Sequence, residues 1–345
     1  MRAFLEKKLV QHWYTKQQSF SYNGFHCLLL PLSWIFSVLS SVRYWLFQRG
    51  IFAAHQLNMP VIVIGNISVG GTGKTPLVIW LAAQLKQAGY TPGIISRGFG
   101  GKYQGEVHTD SKPNEMGDEP VLIAQRTLCP VFVGKNRVLA GQVLLKAYPQ
   151  CNVIISDDGL QHYRLKRDVE IAVVDSQRLF GNKCLIPAGP LREPVKCLNT
   201  VDAVVVNGTA TELEQAFTMH MQAGQFTNVA NRQMTASVTD FQHKNVMAIA
   251  GIGNPERFFQ QLVAMGLPCQ TQAYPDHYAF QEADFNAFEA DIVLMTEKDA
   301  VKYCEFTNAE LLAKLWYLPI DAVLPQGEQL MLRMLEKIAL GKLAN

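Results

Sequence analysis

The sequence predicts an α/β protein in which a mostly parallel sheet, with helices on both faces, is followed by a second, smaller α/β domain. Two observations predict this fold. Between residues 60 and 207, apolar runs of strand length, such as "PVIVIGN" at 60–66 and "NVIISD" at 152–157, alternate with segments of helical periodicity. Continuous apolar strands are typical of parallel sheets buried on both faces. A similar alternation returns later, with strands expected near 245–251, 291–295 and 315–319.

The composition is that of a folded protein with free thiols. A chain of 345 residues is long enough for two domains, and its 48% hydrophobic and 17% charged residues are ordinary for a globular protein. Its seven cysteines are scattered, and no two of them form a C-x-x-C pair. We therefore expect a reducing compartment, without a disulfide framework or a zinc site.

The N-terminal segment differs in charge from the rest of the chain. Residues 1–50 contain six lysines and arginines and one acidic residue, whereas the remaining residues contain 25 basic and 28 acidic ones. Charge confined to one end does not form the extended basic face of a nucleic-acid-binding protein, so we expect no nucleic-acid partner. The run Cys27–Val42 is uncharged and strongly apolar. Together with its basic flanks, this run favours association with a membrane surface.

The apolar run is short for a membrane span, which needs roughly 20 predominantly apolar residues. Pro31 and four serines also interrupt it. We therefore predict an N-terminal membrane-associating helical segment that dips into one leaflet, while a span or a helical hairpin packed against the body stays open. A cleaved signal peptide is disfavoured, because the basic region before the apolar run is about 26 residues long.

The chain is expected to divide into five segments. They are a membrane-associating segment at 1–50, a nucleotide-binding domain at 51–210, a polar connector at 211–240, a second α/β domain at 241–325, and a C-terminal helix at 326–345.

The stretch "GNISVGGTGKTP" at 65–76 predicts a loop that binds nucleotide phosphates. It lies between an apolar strand and a helix expected at 74–88, whose apolar residues recur at intervals of three and four. Where the strict motif G-x-x-x-x-G-K-[ST] begins with glycine the chain has Ser68, but the final Gly73, Lys74 and Thr75 are kept. Backbone N–H groups would hold the phosphates of ATP, Lys74 would reach the outer phosphates, and the Thr75 hydroxyl would bind Mg²⁺.

This motif assigns the larger domain to the P-loop NTPase type. A structural glycine-rich turn with an incidental lysine is the alternative. The predicted nucleotide-binding residues are Ser68, Val69, Gly70, Gly71, Thr72, Gly73, Lys74 and Thr75.

Two acidic residues end a predicted strand close to this loop. Asp157 and Asp158, in "NVIISDDGLQH", are expected at the carboxyl edge of the parallel sheet. A carboxylate at that edge usually belongs to the Mg²⁺ site of a P-loop enzyme. Adjacent strand residues point to opposite faces, so we expect only one of the two to face the metal, and the sequence leaves open which.

Several other polar residues gain a functional interpretation only from context. Taken alone, Asp118 in "GDEPVLIAQR" is expected to be a helix N-cap followed by proline in the first turn. His162 and His277 lie in polar, loop-like stretches, where a single histidine is usually a surface residue. The "GIG" at 251–253 lacks the third glycine of a dinucleotide-binding motif, so a tight strand-to-helix turn is expected there.

Together, these motifs resemble those of the tetraacyldisaccharide 4′-kinase family of lipid A biosynthesis. The matching stretches run in order along nearly the whole chain: "GNISVGGTGKTP" (65–76), "SRGFGG" (96–101), "GDEP" (117–120), "SDDGLQH" (156–162), "YPDHYAF" (274–280) and "TEKDAVK" (296–302). The resemblance implies transfer of the γ-phosphoryl group of ATP to the 4′-hydroxyl of an acylated glucosamine disaccharide 1-phosphate, giving lipid IVA. It also implies a place at the cytoplasmic face of a Gram-negative inner membrane.

The same resemblance implies roles for individual residues. Asp118 matches the family's catalytic acid, and His277 matches the histidine that pairs with it from the second domain, with Lys74 as a further catalytic group. The residues on the metal side are Thr75, Asp157 and Asp158. Residues near the lipid substrate or the phosphates are Arg97, Glu119, Arg137, Gln161 and His162. ATP and Mg²⁺ are the expected cofactors, and the lipid and the cytoplasmic leaflet are the expected partners, without an obligate protein partner.

Two other functions stay open from the residues alone. A membrane-associated regulatory ATPase or GTPase acting on a protein partner would share the phosphate loop. However, the guanine motif N-K-x-D is absent, and "TEKD" at 296–299 lacks its spacing. A noncatalytic interaction protein with a vestigial loop is disfavoured by the intact Lys74, Thr75 and paired acids.

Overall fold

A computed structural model describes residues 13–14, 24–209, 213, 215–285 and 288–343. The strands are β1 Val61–Gly65, β2 Pro92–Ser96, β3 Gly105–Val107, β4 Val131–Val133, β5 Val153–Asp157, β6 Val169–Asp175, β7 Ala203–Asn207, β8 Phe217–Ala223, β9 Phe226–Asn228, β10 Thr235–Ala236, β11 Val246–Ala250, β12 Gln270–Ala273, β13 Ile292–Thr296, β14 Leu315–Leu318 and β15 Ile320–Val323. The helices are α1 Gly24–Gln48, α2 Lys74–Gln87, α3 Pro113–Met116, α4 Asp118–Thr127, α5 Arg137–Ala147, α6 Pro255–Ala264, α7 Glu297–Ala300, α8 Ala309–Lys314 and α9 Gly327–Leu343.

A nine-stranded sheet, in the order β15-β8-β7-β6-β1-β5-β2-β4-β3, forms the larger domain. Strand β1 is central and pairs in parallel with β5 and β6, while β3 and β15 are antiparallel strands at the two edges. All residues of β1, β2 and β5 are buried, which explains their continuous apolar sequence. Helix α2 buries the apolar stripe expected from its periodicity: Leu77, Val78, Leu81, Ala82 and Leu85. Each of the three leucines and Val78 contributes about 1.5–3 kcal/mol on burial.

The smaller sheet, in the order β10-β9-β14-β13-β11-β12, is inserted between two strands of the larger one. Strand β8 belongs to the larger sheet, and β15 returns to pair with it after the insertion. The two connecting segments lie side by side, where the N–H of Gly224 donates to the carbonyl of Pro319 at 2.9 Å. Helix α9 then packs on the larger domain, in the same apolar core as α2. The predicted α/β fold with mostly parallel sheets is therefore confirmed.

The expected connector at 211–240 differs from the structure, because it contains β8, β9 and β10. Only Met219 of the seven residues of β8 is buried, so this strand lacks a strong apolar signal. The sequence placed the residues from 320 onward in the second domain and in a separate C-terminal helix. In the structure these residues belong to the larger domain. The other domain limits stay a prediction, and residues 1–12 and 15–23 of the predicted N-terminal segment lie outside the described residues.

Helix α1 is one continuous helix whose large apolar side chains mostly face outward. The exposed ones are Leu28, Leu32, Trp34, Ile35, Val38, Leu39, Val42, Tyr44 and Trp45. Ser33 is buried and anchors the helix to the body, since its hydroxyl donates to the carbonyl of Leu185 at 2.8 Å and accepts from the N–H of Ala188 at 2.9 Å. Among the described residues, Cys27–Gln48 is long and apolar enough to cross a membrane by length and composition, with a mean hydropathy of 1.4.

Candidate active site

The phosphate loop occupies the carboxyl edge of β1 and leads directly into α2. Gly70 and Gly73 have φ values of 107° and 98°, which residues with a side chain rarely adopt. A Cβ atom on Gly73 would lie only 2.7 Å from the Nδ2 atom of Asn207 and 2.7 Å from the Cε atom of Met221. The loop can therefore lie this close to β7 and β8 only with glycine at position 73. The first N–H groups of α2 have no partner within the helix, which makes this end a site for an anion.

The two adjacent acids at the end of β5 have different surroundings. The Oδ2 atom of Asp157 accepts a hydrogen bond from the hydroxyl of Ser96 at 3.0 Å, and its buried Oδ1 atom has no partner among the described residues. Asp158 has a φ of 48° and is bound by two cations: Lys74, with Nζ 3.4 Å from Oδ1, and Arg192, with Nη1 3.1 Å from Oδ2. The strand end thus turns the two carboxylates to different partners, as their adjacency predicted.

The pKa values of these two acids move in opposite directions. Burial, together with the negative charges of Glu119 and Asp158, raises the pKa of Asp157 to about 7. Burial would also raise the pKa of Asp158, but the positive charges of Lys74 and Arg192 lower it below its usual value. Asp157 is therefore the acid whose ionised form still needs a cation.

The oxygen atoms at this edge fit Mg²⁺. A carboxylate oxygen of Asp157 is buried without a hydrogen-bond donor from the described parts of the chain, and the hydroxyl of Thr75 belongs to the first turn of α2. Mg²⁺ prefers oxygen ligands and is usually bound by one or two protein carboxylates, with phosphate oxygens and water completing its shell. In the part of the chain that the structure describes, no cluster of three or more His, Cys, Asp or Glu could hold a metal ion by itself. Mg²⁺ here would therefore depend on the phosphates.

Asp118 and His277 come from different domains and meet beside the phosphate loop. The Nδ1 atom of His277 lies 3.0 Å from the Oδ2 atom of Asp118. Lys302 approaches the same Oδ2 atom at 3.6 Å, and its ammonium also binds the fully buried Asp299 at 2.7 Å. Burial would raise the pKa of Asp118, but the hydrogen bond with His277 and the charge of Lys302 lower it below its usual value. Asp118 is therefore held as a carboxylate.

The helix-cap interpretation of Asp118 is wrong. Gly117 occupies the cap position of α4, and no side chain caps the helix there. Asp118 is the first residue of α4, and its carboxylate is directed to His277 instead.

Glu119 is linked to the smaller domain by a second lysine. Its Oε1 atom lies 3.1 Å from the Nζ atom of Lys298, which also approaches Asp276 at 3.6 Å. Burial would raise the pKa of Glu119, but the charges of Lys298 and Lys74 lower it. Lys298 and Lys302 are four residues apart, so both project from the same side of α7 and the turn that follows it.

The remaining residues predicted to lie near substrate differ in their surroundings. The Nε2 atom of Gln161 donates to the carbonyl of Asn66 at 3.0 Å and to Glu193 at 2.8 Å, which joins it to the phosphate loop. Burial and four nearby arginines lower the pKa of His162 to about 4, so this histidine is neutral at pH 7. Arg137 is buried, and burial lowers its pKa to about 10. Arg97 is exposed at the end of β2.

The structure thus brings most of the predicted residues to one edge of the larger sheet, but it also adds several that sequence analysis missed. Arg192, Lys298 and Lys302 each bind one of the predicted acids. The two lysines lie in the quoted stretch "TEKDAVK", where their spacing was a signal, whereas a lone arginine in "PLREP" gave none.

Comparison with known proteins gives consistent results. The family model of tetraacyldisaccharide-1-P 4′-kinase, LpxK, matches residues 25–339. A tetraacyldisaccharide 4′-kinase from Methylobacillus flagellatus is 48% identical over 309 residues, which cover 89% of this chain and 91% of that protein. The corresponding kinase from Nitrosococcus oceani is 47% identical over 340 residues, covering 97% and 96% of the two chains. The crystal structure of LpxK from Aquifex aeolicus in complex with ATP superposes with a TM-score of 0.75 at 28% identity, covering 91% of this chain and 99% of that one.

Proposed function

We propose that Asp118, held by His277, accepts the proton of the sugar hydroxyl in the phosphoryl transfer of the tetraacyldisaccharide-1-P 4′-kinase family, to which this chain belongs. The protein is an ATP-dependent kinase that transfers the γ-phosphoryl group of ATP to the 4′-hydroxyl of a tetraacylated disaccharide 1-phosphate in lipid A biosynthesis. The function expected from the resemblance is thereby confirmed.

The observation that carries the proposed catalytic role is the 3.0 Å contact between Asp118 and His277. A sugar hydroxyl is a poor nucleophile until its proton is removed, and a positioned base contributes about 10²- to 10⁴-fold in rate. The lowered pKa keeps Asp118 ionised at neutral pH, so its carboxylate has a site that can accept a proton. His277 comes from the inserted domain, so this domain must be close to the larger one for the pair to form.

Lys74 and the N–H groups of the loop would neutralise the phosphates. The transferring phosphoryl group carries dense negative charge, and a P-loop lysine reaches the outer phosphates of ATP. We propose that Thr75 and Asp157 would hold Mg²⁺, which offsets phosphate charge when bound. Asp157 is favoured over Asp158 because one of its buried oxygens has no hydrogen-bond partner within the described ranges, whereas Asp158 already binds Lys74 and Arg192.

The lipid substrate would reach the site along α1. The outward apolar side chains of this helix support a place in one leaflet of the membrane, and the cytoplasmic face is the side where ATP is available. Arg43 of α1 donates to the carbonyl of Gln161 at 3.2 Å, so the helix contacts a residue whose side chain binds the phosphate loop at Asn66. A lipid headgroup at the membrane depth of the contact between Arg43 and Gln161 would lie close to Asp157 and Asp158.

An assay of lipid phosphorylation tests these residue roles. Protein, Mg·ATP and the tetraacylated disaccharide 1-phosphate are incubated in detergent micelles, and the added phosphate is measured by mass spectrometry. We expect D118N to lower kcat about 10²- to 10⁴-fold while its Kd for ATP stays within twofold of the wild-type value. The matched control is D110N, which changes an exposed acid of the same domain and should keep full kcat.

A D118N protein with unchanged kcat would contradict the role as base. K74A examines the loop separately and should weaken ATP binding. ATP consumption that does not depend on lipid would instead favour a regulatory ATPase.

A further inference from the structure

One arginine of the inserted domain reaches two strands of the larger sheet next to the phosphate loop. Arg257 lies in the first turn of α6, which follows the strand-to-helix turn at 251–254. Its Nη1 atom is 3.1 Å from the Oδ2 atom of Asp175, and its Nη2 atom donates to the Oδ1 atom of Asn207 at 2.9 Å. Asp175 and Asn207 end the neighbouring strands β6 and β7 and face each other in register. A single guanidinium thus joins the two domains.

Asn207, which binds Arg257, also binds the phosphate loop. Its Nδ2 atom donates to the carbonyl of Thr72 at 3.1 Å, and the side chains of both residues are buried. The amide of asparagine has one accepting and one donating end, and a guanidinium only donates. Arg257 therefore fixes the orientation in which the NH₂ group faces Thr72. In the flipped orientation two oxygens would face each other, and the buried carbonyl would lose its partner.

Other contacts place the same turn against the loop. The N–H of Arg178 donates to the Oδ1 atom of Asp175 at 2.9 Å, and its guanidinium approaches the carbonyl of Gly253 at 3.4 Å. A Cβ atom on Gly253 would lie 3.9 Å from the backbone nitrogen of Gly71. The inserted domain and the loop are therefore neighbours at this point.

Arg126 shows what to expect if Arg257 only holds the two domains together. Arg126 also joins the two domains, with Nη1 2.8 and 2.6 Å from the two carboxylate oxygens of Glu297. It belongs to the last turn of α4, and its side-chain hydrogen bonds among the described residues go to Glu297 and Asp321, which lie outside the phosphate loop. If Arg257 served only to hold the domains together, the two arginines would be equivalent.

We propose that Arg257 is a positioning residue of the nucleotide site. It orients Asn207, and Asn207 fixes the carbonyl of Thr72 and with it the direction of the neighbouring N–H groups. This inference rests on the proposed role of the loop as the ATP site. It makes the affinity for ATP depend on where the inserted domain lies.

The test compares R257Q with R126Q in the full chain, with ATP and without lipid. We expect R257Q to weaken ATP binding about tenfold, the effect of one lost hydrogen bond to a charged group, and R126Q to stay within twofold of wild type. N207A should weaken binding to a similar extent, and the double variant R257Q/N207A should lose little more, because both changes break the same chain of contacts. Thermal unfolding without nucleotide shows whether each variant is folded.

Three results would overturn the proposal: ATP affinity in R257Q equal to wild type, an equal loss in R126Q, or full additivity with N207A. Should R257Q not fold, R257K replaces it, since lysine keeps the charge but lacks the fork that spans Asp175 and Asn207. K74A tests the loop as the ATP site separately from the positioning role of Arg257. Unchanged ATP binding in K74A would overturn the loop as the ATP site, whereas a loss in K74A without a loss in R257Q would overturn only the role of Arg257.

Discussion

Asp118, the proposed base, shows how a buried acid stays ionised. Burial alone would favour its neutral form, yet His277 and Lys302 reverse the direction of the pKa shift. Lys302 is nearly buried and shares its charge between Asp118 and Asp299. The lysine is therefore placed to control the charge of Asp118 without needing to touch substrate.

Removal of that lysine should change the pH dependence of the reaction. Lys302 lowers the pKa of Asp118, so K302M raises it, and Asp118 then loses its proton only at higher pH. We expect the acid limb of kcat/KM to move to higher pH in K302M, with K302R, which keeps the charge, close to wild type. The measurement is a pH–rate profile that begins below pH 4, because the lowered pKa of Asp118 places the acid limb of the wild type there. An acid limb at the same pH in both variants would show that Lys302 does not act on the base.

The sequence identified the acids and the lysine of the loop more readily than their partners. Lys74 and Asp157 are fixed by a local motif and by the end of a strand, which both lie in one domain. Lys302 and Arg257 act across the boundary between domains, and their targets in the larger domain are at least 50 residues away along the chain. No periodicity or motif specifies how an inserted domain lies on the domain that contains it.

At the scale of elements, α1 leaves most of its large apolar side chains exposed. Its side chains at Val38 and Leu39 are 60% and 64% exposed, although a soluble helix would usually turn such residues inward. The hydrophobic run predicted the helix, and it also predicted that a membrane would cover the outer face. Its anchor through Ser33 could not be predicted, because the partners are backbone atoms about 150 residues later.

Charged residues on the outer face of α1 should release the protein from lipid. We expect the double variant V38E/L39E to bind anionic phospholipid vesicles at least tenfold more weakly, because burial of each side chain contributes about 1.5–3 kcal/mol. ATP binding should not change. Leu332 on α9 is 61% exposed and serves as the control site, so L332E should bind vesicles as wild type does. Vesicle flotation or sedimentation measures the effect, and full retention of V38E/L39E would contradict the proposed membrane face.

At the scale of the whole molecule, the larger domain is built from both ends of the described chain. Strand β15 completes its sheet, and α9 covers one face of it, although both follow the inserted domain in sequence. Alternation of strands and helices could predict two α/β units. It could not predict that the last segment returns to the first unit, because α9 has an ordinary amphipathic pattern that would suit either core.

Stability should therefore depend on α9 through the core of the larger domain. Leu330 is fully buried there, whereas Leu340 on the same helix is 65% exposed. We expect L330A to lower the free energy of unfolding by about 2–5 kcal/mol and L340A by less than about 0.5 kcal/mol. Chemical denaturation followed by tryptophan fluorescence and circular dichroism compares the two. Equal stability of L330A and L340A would contradict the packing of α9 on this core.

The late return of the chain also has a consequence for biosynthesis. While the ribosome is still making the inserted domain, α1 and the phosphate loop have already left the exit tunnel, but the sheet still lacks an edge strand and the helix that covers one face. Domains fold as units as they emerge. The nascent chain would therefore present its proposed membrane-binding helix before the sheet beside the nucleotide site is complete, and the end of translation would complete the kinase where that helix binds.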